Sequence, residues 1–558
     1  MKFLFFARHF TYLRNFESVL AELAERGHAI HIAAERDEAF GGREMLDRLA
    51  ERYPAITLGW APERSDGWYR LATKLRLTLD YLRYLEPAYA KTPRLKSRAE
   101  ERVPDLFLRL LRVPGFSGAN GRSRAARLLA SAEQQLPLDP AIVRYIEEQR
   151  PDAVLITPLI GVVASPQLDY LHSARALGIP TALCVWSWDH LSSKALIRTL
   201  PDRVFVWNPT QRDEALHLHS VPPDRIVVTG AQCFDRWFDR QPSKDRAAFC
   251  RRVGLRDDRR FLLWVCSALF RGSPEEAGFV RQWIQALRAS GHDSLRDVNI
   301  LIRPHPSRLK EWEGFDPSSL PGVAFWGANP VDPESRADYF DSLYYSDAVV
   351  GLNTSAFIEA GIAGKPVYTV LLPEFHENQE GTIHFHYLLT VAGGLLNASR
   401  SLDEHVGQLA AQLEGRGADP DRSRRFSEAF VRPQGLSQPS TPVFVAAVES
   451  LASHRTEPQA AAHASGEVPV ALRWLAAFER GAGHTLMLDQ REQLEARNSR
   501  VSRAREDRDR DVRMAAKAAV RAEKARRVEE RDRDKRRTET HRRRQRLKKS
   551  LRARLGLG

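Results

Sequence analysis

The chain begins with KFLFFA (2–7), which has no polar side chain between Lys2 and Arg8, and then changes period. In RNFESVLAELAERGH the apolar Phe16, Val19, Leu20 and Leu23 recur at helical spacing. Gly27 closes that turn and AIHIAAE starts a second apolar run. A short, unbroken apolar run must be covered on both faces, as strands of a parallel sheet are, and an amphipathic helix between two such runs supplies the cover. The simplest arrangement is the βαβ unit of an open, doubly wound sheet.

The rhythm resumes at DAVLITPLI, IPTALCVWS, RVFVWN and RIVVTG. After the polar segment 232–258 it starts again, with FLLWVCSAL, NILIRPHP, VAFWG, AVVGLN and KPVYTVLL. A chain of 558 residues exceeds what one hydrophobic core usually supports. The expected class is therefore α/β, with two doubly wound domains facing across a cleft. Their expected spans are 1–235 and 236–455. Within the first, LRLTLDYLRYLEPAYAK and DLFLRLLRV form a basic, Leu-rich helical insertion over about 64–140, broken at FSGANGRSR. TEPQAAAHASGE opens a linker or helical segment over 456–483, and 484–558 is expected to be a charged, solvated helical tail.

Charge separates body from tail. The net charge is +13, yet residues 491–558 hold 26 Lys and Arg against 12 Asp and Glu, so residues 1–490 are close to neutral. No Phe, Trp or Tyr follows residue 480, so the tail lacks the aromatic interleaving of a base-stacking surface. No specific nucleic acid is expected, and an anionic membrane surface is the partner that would suit 484–558. Cys184, Cys233, Cys250 and Cys266 show no CxxC spacing, which fits a reducing compartment and no metal site. MKFLFFARHF is too short for a signal sequence and no window suits a membrane span. The expectation is a cytoplasmic protein, peripheral at the inner face of the plasma membrane.

Two motifs carry chemistry. In LIRPHPSR (301–308) the prolines bar Arg303 and His305 from helix, so His305 sits in an extended turn at a strand's carboxyl end. There it can donate to a phosphate oxygen or act as general acid, with Arg303 and Arg308 adding positive potential. A surface turn with solvated arginines is the plain alternative. In SDAVVGLNTSAFIEAGIAGKPVYTV (346–370) a strand leads into Asn353, Thr354 and Ser355 at a helix start, where free backbone N–H groups favour an anion. Glu359 lies one turn on, placed to hold a ribose diol. An ordinary cap with a surface Glu is the alternative there.

RPHP followed by S-x-x-x-E-A-x-x-x-G-K-P-V resembles the GT-B superfamily of glycosyltransferases, with two Rossmann-like domains, and within it the capsule-polysaccharide and CDP-glycerol glycerophosphotransferase-like branch. The resemblance covers roughly 1–450, weakly over 64–140. It implies a donor site in the second domain and an acceptor site in the first. Glu359 would hold the ribose, Thr354 and Ser355 the diphosphate, and His305 the leaving phosphate. No metal or other cofactor is implied, because helix dipoles and basic groups can neutralise that phosphate. No DxD stands at a suitable strand end.

VWSWDHLSSK (185–194) follows a strand of the first domain. Asp189 is the candidate base, Trp186 and Trp188 offer faces for a sugar, and Lys194 adds charge. A helix cap with core tryptophans is the alternative. His9, after the first strand, is the rival base. In ENQEGTIHFHYL (377–388) Gln379 and His384 are candidate donor contacts, and Asp235 is expected only to fix the linker. The expected activity is transfer of a glycosyl or glycerol-phosphate unit from a UDP-, CDP- or GDP-linked donor to a glycan or lipid-linked acceptor, in cell-surface polysaccharide synthesis. A UDP-sugar 2-epimerase of the same fold, or a nucleic-acid-associated protein acting through its tail, are the other readings.

Overall fold

The computed structural model describes residues 1–37, 41–64, 66–160, 165–270, 272–417, 419–453, 469–481, 484–490, 492–493 and 539–549. Two compact units are formed, Met1–Met487 and Leu488–Gly558. In the second, residues 539–549 form an exposed helix. Most of the expected tail, and all of TEPQAAAHASGE, lie outside the described residues.

The first unit holds two wholly parallel sheets. One contains β1 (Lys2–Ala7), β2 (Ala29–Ala34), β3 (Ile56–Trp60), β4 (Ala153–Thr157), β5 (Thr181–Cys184), β6 (Arg203–Val206) and β7 (Ile226–Val228). The other contains β8 (Phe261–Val265), β9 (Asn299–Arg303), β10 (Val323–Phe325), β11 (Ala348–Val350), β12 (Val367–Val370) and β13 (Leu396–Ser399). Their orders are β3-β2-β1-β4-β5-β6-β7 and β10-β9-β8-β11-β12-β13. Each order reverses once, between β1 and β4 and between β8 and β11, and the crevice at such a reversal is where open α/β sheets bind ligands.

The unbroken apolar runs are explained by burial on both faces. Along β1, Phe3 and Phe5 pack with Val19, Leu20 and Leu23 of the following helix, while Leu4 and Phe6 point into the opposite layer with Leu71, Leu75 and Tyr170. Along β8, Phe261, Leu263 and Val265 face one core and Leu262 and Trp264 the other. A polar residue at any of these positions would forgo about 1.5–3 kcal/mol of transfer energy.

Between β3 and β4 the chain is helical, led by Tyr69–Arg83 and Gly118–Gln134. The basic character of the first of these has an internal use. Arg76 places Nη1 and Nη2 each 2.8 Å from the Asp169 carboxylate and Nε 2.9 Å from Glu133, and Arg64 also reaches Asp169. That network ties the inserted helices to the helix Gln167–Ala176 behind β4.

The helix Ser440–Ala452, which the sequence reading placed with the second sheet, returns to the first. Its Phe444 meets Phe16 and Phe205 with ring centroids 5.7 and 5.1 Å apart. Asp235, after β7, anchors that return: its carboxylate accepts from the backbone N–H groups of Ser440 and Thr441 and from Arg432.

Candidate functional site between the two sheets

The ends of β9, β8 and β11 lie side by side and are bonded to one another. Cys266 N, after β8, donates to Arg303 O at 3.0 Å, and Asn353 N, after β11, donates to Ser267 Oγ at 3.0 Å. His305 is extended (φ −80, ψ 130), as its two prolines require. Its Nδ1 accepts from Ser307 N at 3.3 Å, which assigns the ring proton to Nε2. Burial and the neighbouring Arg308 lower its pKa, so the imidazole is neutral near pH 7. Arg308 does not join the site, because it pairs with Glu311 and donates to Leu269 O.

Arg303 is only 6% exposed. Its guanidinium lies 5.0 Å from the Tyr339 ring centroid, and Nη1 is buried with no hydrogen-bond partner. Thr354 Oγ1 accepts from Ala356 N, while Ser355 is exposed and its side chain makes no capping bond. Glu359, on the helix Ala356–Ile362, accepts from Tyr339 OH through Oε2. Burial raises its pKa, against the pull of that bond and of Arg14, Arg236 and Arg240.

Arg14 was not anticipated. It comes from the turn Phe10–Phe16 after β1, and its charge is felt by, and feels, Arg236, Glu359 and Tyr339 beside the second sheet. Arg336 joins it with Nη2 buried and unpartnered, while its Nε donates to Pro330 O and its Nη1 pairs with Glu17, which Arg236 shares. Burial lowers the pKa of Arg14, Arg303 and Arg336, with Arg236 adding to the effect on Arg14 and Arg336. The result is a group of guanidinium ions around Glu17 and Glu359, with more positive than negative charge and incomplete hydrogen bonding.

Four expected contacts are corrected. Asn353 Nδ2 donates to Asn378 O, so that side chain holds a loop instead of facing a ligand. Gln379 is 1% exposed and its Nε2 donates to Leu352 O and Val370 O, which locks the ends of β11 and β12 together. Trp188 is buried against His384, edge to face at 4.8 Å, and offers no open ring to a sugar. His384 is itself 7% exposed and lies at this contact with Trp188 of the first domain.

Asp189 is held by its own turn: Ser187 Oγ and Ser193 Oγ donate to it and Lys194 Nζ lies 2.7 Å from Oδ2. Although burial opposes ionisation, Lys194, His384 and these donors hold its pKa well below the usual carboxylate range. A carboxylate so stabilised is a poor proton acceptor, so the structure disfavours Asp189 as the base. Trp186 is half-buried, 4.6 Å from Tyr12, whose other neighbour at 4.5 Å is His9. His9 and Trp186 thus share one aromatic group at the end of β1, with the Lys194 ammonium 5.9 Å from the Trp186 ring centroid.

No family model matches the sequence, and no curated protein does. Among solved structures, the chain is similar to the UDP-GlcNAc 2-epimerase of Neisseria meningitidis bound to UDP-GlcNAc, at 14% identity and a TM-score of 0.46, over 81% of this chain and all of that one. It is also similar to a glycosyltransferase of Rickettsia africae, at 10% identity and TM-score 0.45, over 81% and 98%. WaaG, a glycosyltransferase of lipopolysaccharide biosynthesis, matches at 14% identity and TM-score 0.39, over 80% and 99%. These likenesses carry no functional inference. The order of the two parallel sheets is itself decisive for architecture: the chain has the paired Rossmann-like plan of the GT-B fold.

Proposed function

We propose that the protein is a transferase that moves a glycosyl or glycerol-phosphate unit from a nucleotide-activated donor to a glycan or lipid-linked acceptor. The observation that carries this reading is the arginine cluster beside Glu359, to which Arg303 at the end of β9, Arg14 after β1, and the helical Arg236 and Arg336 contribute. Half-buried guanidinium groups that outnumber their carboxylate partners are costly unless an anion completes them, and a diphosphate matches their paired donors.

In this reading Arg14 and Arg303 face the diphosphate, the Ser355 hydroxyl adds a donor, and Glu359 accepts from the ribose hydroxyls. The acceptor oxygen attacks the donor carbon, or the phosphorus of a glycerol-phosphate donor, as its bond to the leaving phosphate breaks. Neutral His305 keeps its Nε2 proton and donates a hydrogen bond through it to the leaving phosphate oxygen, and the arginines hold the charge that develops. His9 takes the acceptor's proton, with Trp186 beside it as the sugar's platform.

The test is donor turnover by the full chain against a panel of UDP-, CDP- and GDP-sugars, followed by nucleotide release and by NMR of the sugar. His305→Ala should lower kcat by at least about 10²-fold, and Glu359→Gln should chiefly raise KM. Full turnover by both variants would remove the site assignment. An inverted C2 centre on an intact nucleotide-sugar would replace the transfer reading with the epimerase one.

A further inference from the structure

Between Asp105 and Glu133 the sequence contains five arginines (Arg109, Arg112, Arg122, Arg124 and Arg127) and no acidic residue. The segment runs through the helix Asp105–Leu111, a turn, and the helix Gly118–Gln134. It contrasts with the rest of the first 490 residues, which are close to neutral. The two helices converge: Arg112 from the end of the first and Arg122 from the start of the second both bear on Tyr81 beneath them.

The outer side of this hairpin combines charge with apolar surface. Arg109, Arg112, Arg124 and Arg127 are exposed, and among the described residues none has a carboxylate partner. Alongside them Leu110 is 44% exposed, Val113 47% and Leu128 62%. Phe107 and Leu108 point the other way, into the core. The arginines of the neighbouring helix Tyr69–Arg83 are used differently, since Arg76 is buried in the network with Asp169 and Glu133.

We infer that this hairpin is a docking surface for an anionic lipid bilayer. Unpaired arginines at the headgroup level with leucine and valine between them are what interfacial attachment requires. A nucleic acid would meet the same charges, but the segment's two aromatic residues, Phe107 and Phe116, are buried and half-buried, so no ring is offered for stacking. The surface is independent of the arginine cluster between the sheets, and it stands whether or not the transfer reading does.

The experiment uses the full chain with Val113→Cys carrying an environment-sensitive fluorophore, with the labelled parent as control for the native cysteines. Vesicles of phosphatidylcholine with a quarter phosphatidylglycerol should blue-shift the probe, and pure phosphatidylcholine vesicles should not. Removing four charges (Arg109→Ser, Arg112→Ser, Arg124→Ser, Arg127→Ser) should weaken co-sedimentation by more than about tenfold, given about fivefold per arginine near an anionic surface. These side chains are exposed, so the melting temperature should not move. The inference is overturned if the chain co-sediments while the probe at 113 stays unshifted, which would place attachment elsewhere. An equal shift on neutral vesicles, or a shift on single-stranded RNA and not on vesicles, would also overturn it.

Discussion

Replacing Asp235 by Ala should unfasten the return of the chain to the first sheet. Oδ1 of Asp235 accepts from Arg432 Nη2 at 2.8 Å, Arg432 Nε at 3.0 Å and Ser440 N at 3.0 Å. Oδ2 accepts from Thr441 N at 2.6 Å and Thr441 Oγ1 at 2.7 Å. Arg432 is buried and Asp235 largely shielded, at 5% and 12% side-chain exposure, so solvent screens the pair little. Breaking such a pair from one side leaves an uncompensated charge and costs about 3–5 kcal/mol. Loss of the cap on Ser440–Ala452 adds about 1 kcal/mol. Arg432 keeps Leu436 O and its place over the Phe238 ring, which favours the lower end, about 4 kcal/mol in all. Urea unfolding followed by tryptophan fluorescence should show the loss, and Arg432→Ala in the same chain should restore at least about 2 kcal/mol by removing the stranded charge. A single variant within about 0.5 kcal/mol of the parent would refute this role for Asp235.

Three further outcomes are expected. Gly327 has φ +129, and a Cβ there would stand 2.5 Å from Arg303 Cζ, so Gly327→Ala should cost about 2–3 kcal/mol and weaken nucleotide binding by pushing Arg303 off Tyr339. An unchanged melting curve and affinity would show that Arg303 is not held there. Burial raises the pKa of Glu214 from 4.5 to about 8, so the folded chain keeps a proton that the unfolded chain loses. Stability should therefore fall as pH rises from about 4.5 through 8, and Glu214→Gln should flatten that slope in melts at pH 6 and 9, whereas identical slopes would contradict it. Asp189→Asn should lower kcat by less than about tenfold while His9→Ala lowers it by more than about 10²-fold; the reverse order would return the base to Asp189.

The two-sheet plan was legible because a parallel strand buries both faces, and short runs such as KFLFFA and FLLWV, alternating with amphipathic helices, fit that demand. The strand-end motifs were legible for a related reason: prolines around His305 and the NTS turn announce where strands stop. Side-chain roles there were harder to read. Asn353 and Gln379 have the chemistry of ligand contacts, but their amide N–H groups are taken by backbone carbonyls, Asn378 O for Asn353 and the strand-end Leu352 O and Val370 O for Gln379, which depends on how neighbouring segments pair. Trp188 shows the ambiguity of an aromatic after a strand, which serves equally as platform or core. The Asp189 turn did hold a local signal, because Ser187, Ser193 and Lys194 lie within five residues of the carboxylate they satisfy. Arg14 had no such signal. Its partners are more than two hundred residues away, and only the facing of the two sheets brings it to Glu359 and Tyr339.

The most direct measurement is a thermal melt of the full chain with and without UDP, CDP and GDP, repeated on Arg14→Met. The arginine cluster predicts that at least one of these nucleoside diphosphates raises the melting temperature, with saturation near 100 times its Kd worth about 2.7 kcal/mol. It predicts that Arg14→Met alone melts no lower than the parent, since it removes a cation from a crowded positive group, and that it loses most of the nucleotide-induced shift. No shift with any of the three, or an equal shift in Arg14→Met, would contradict a diphosphate site between the sheets.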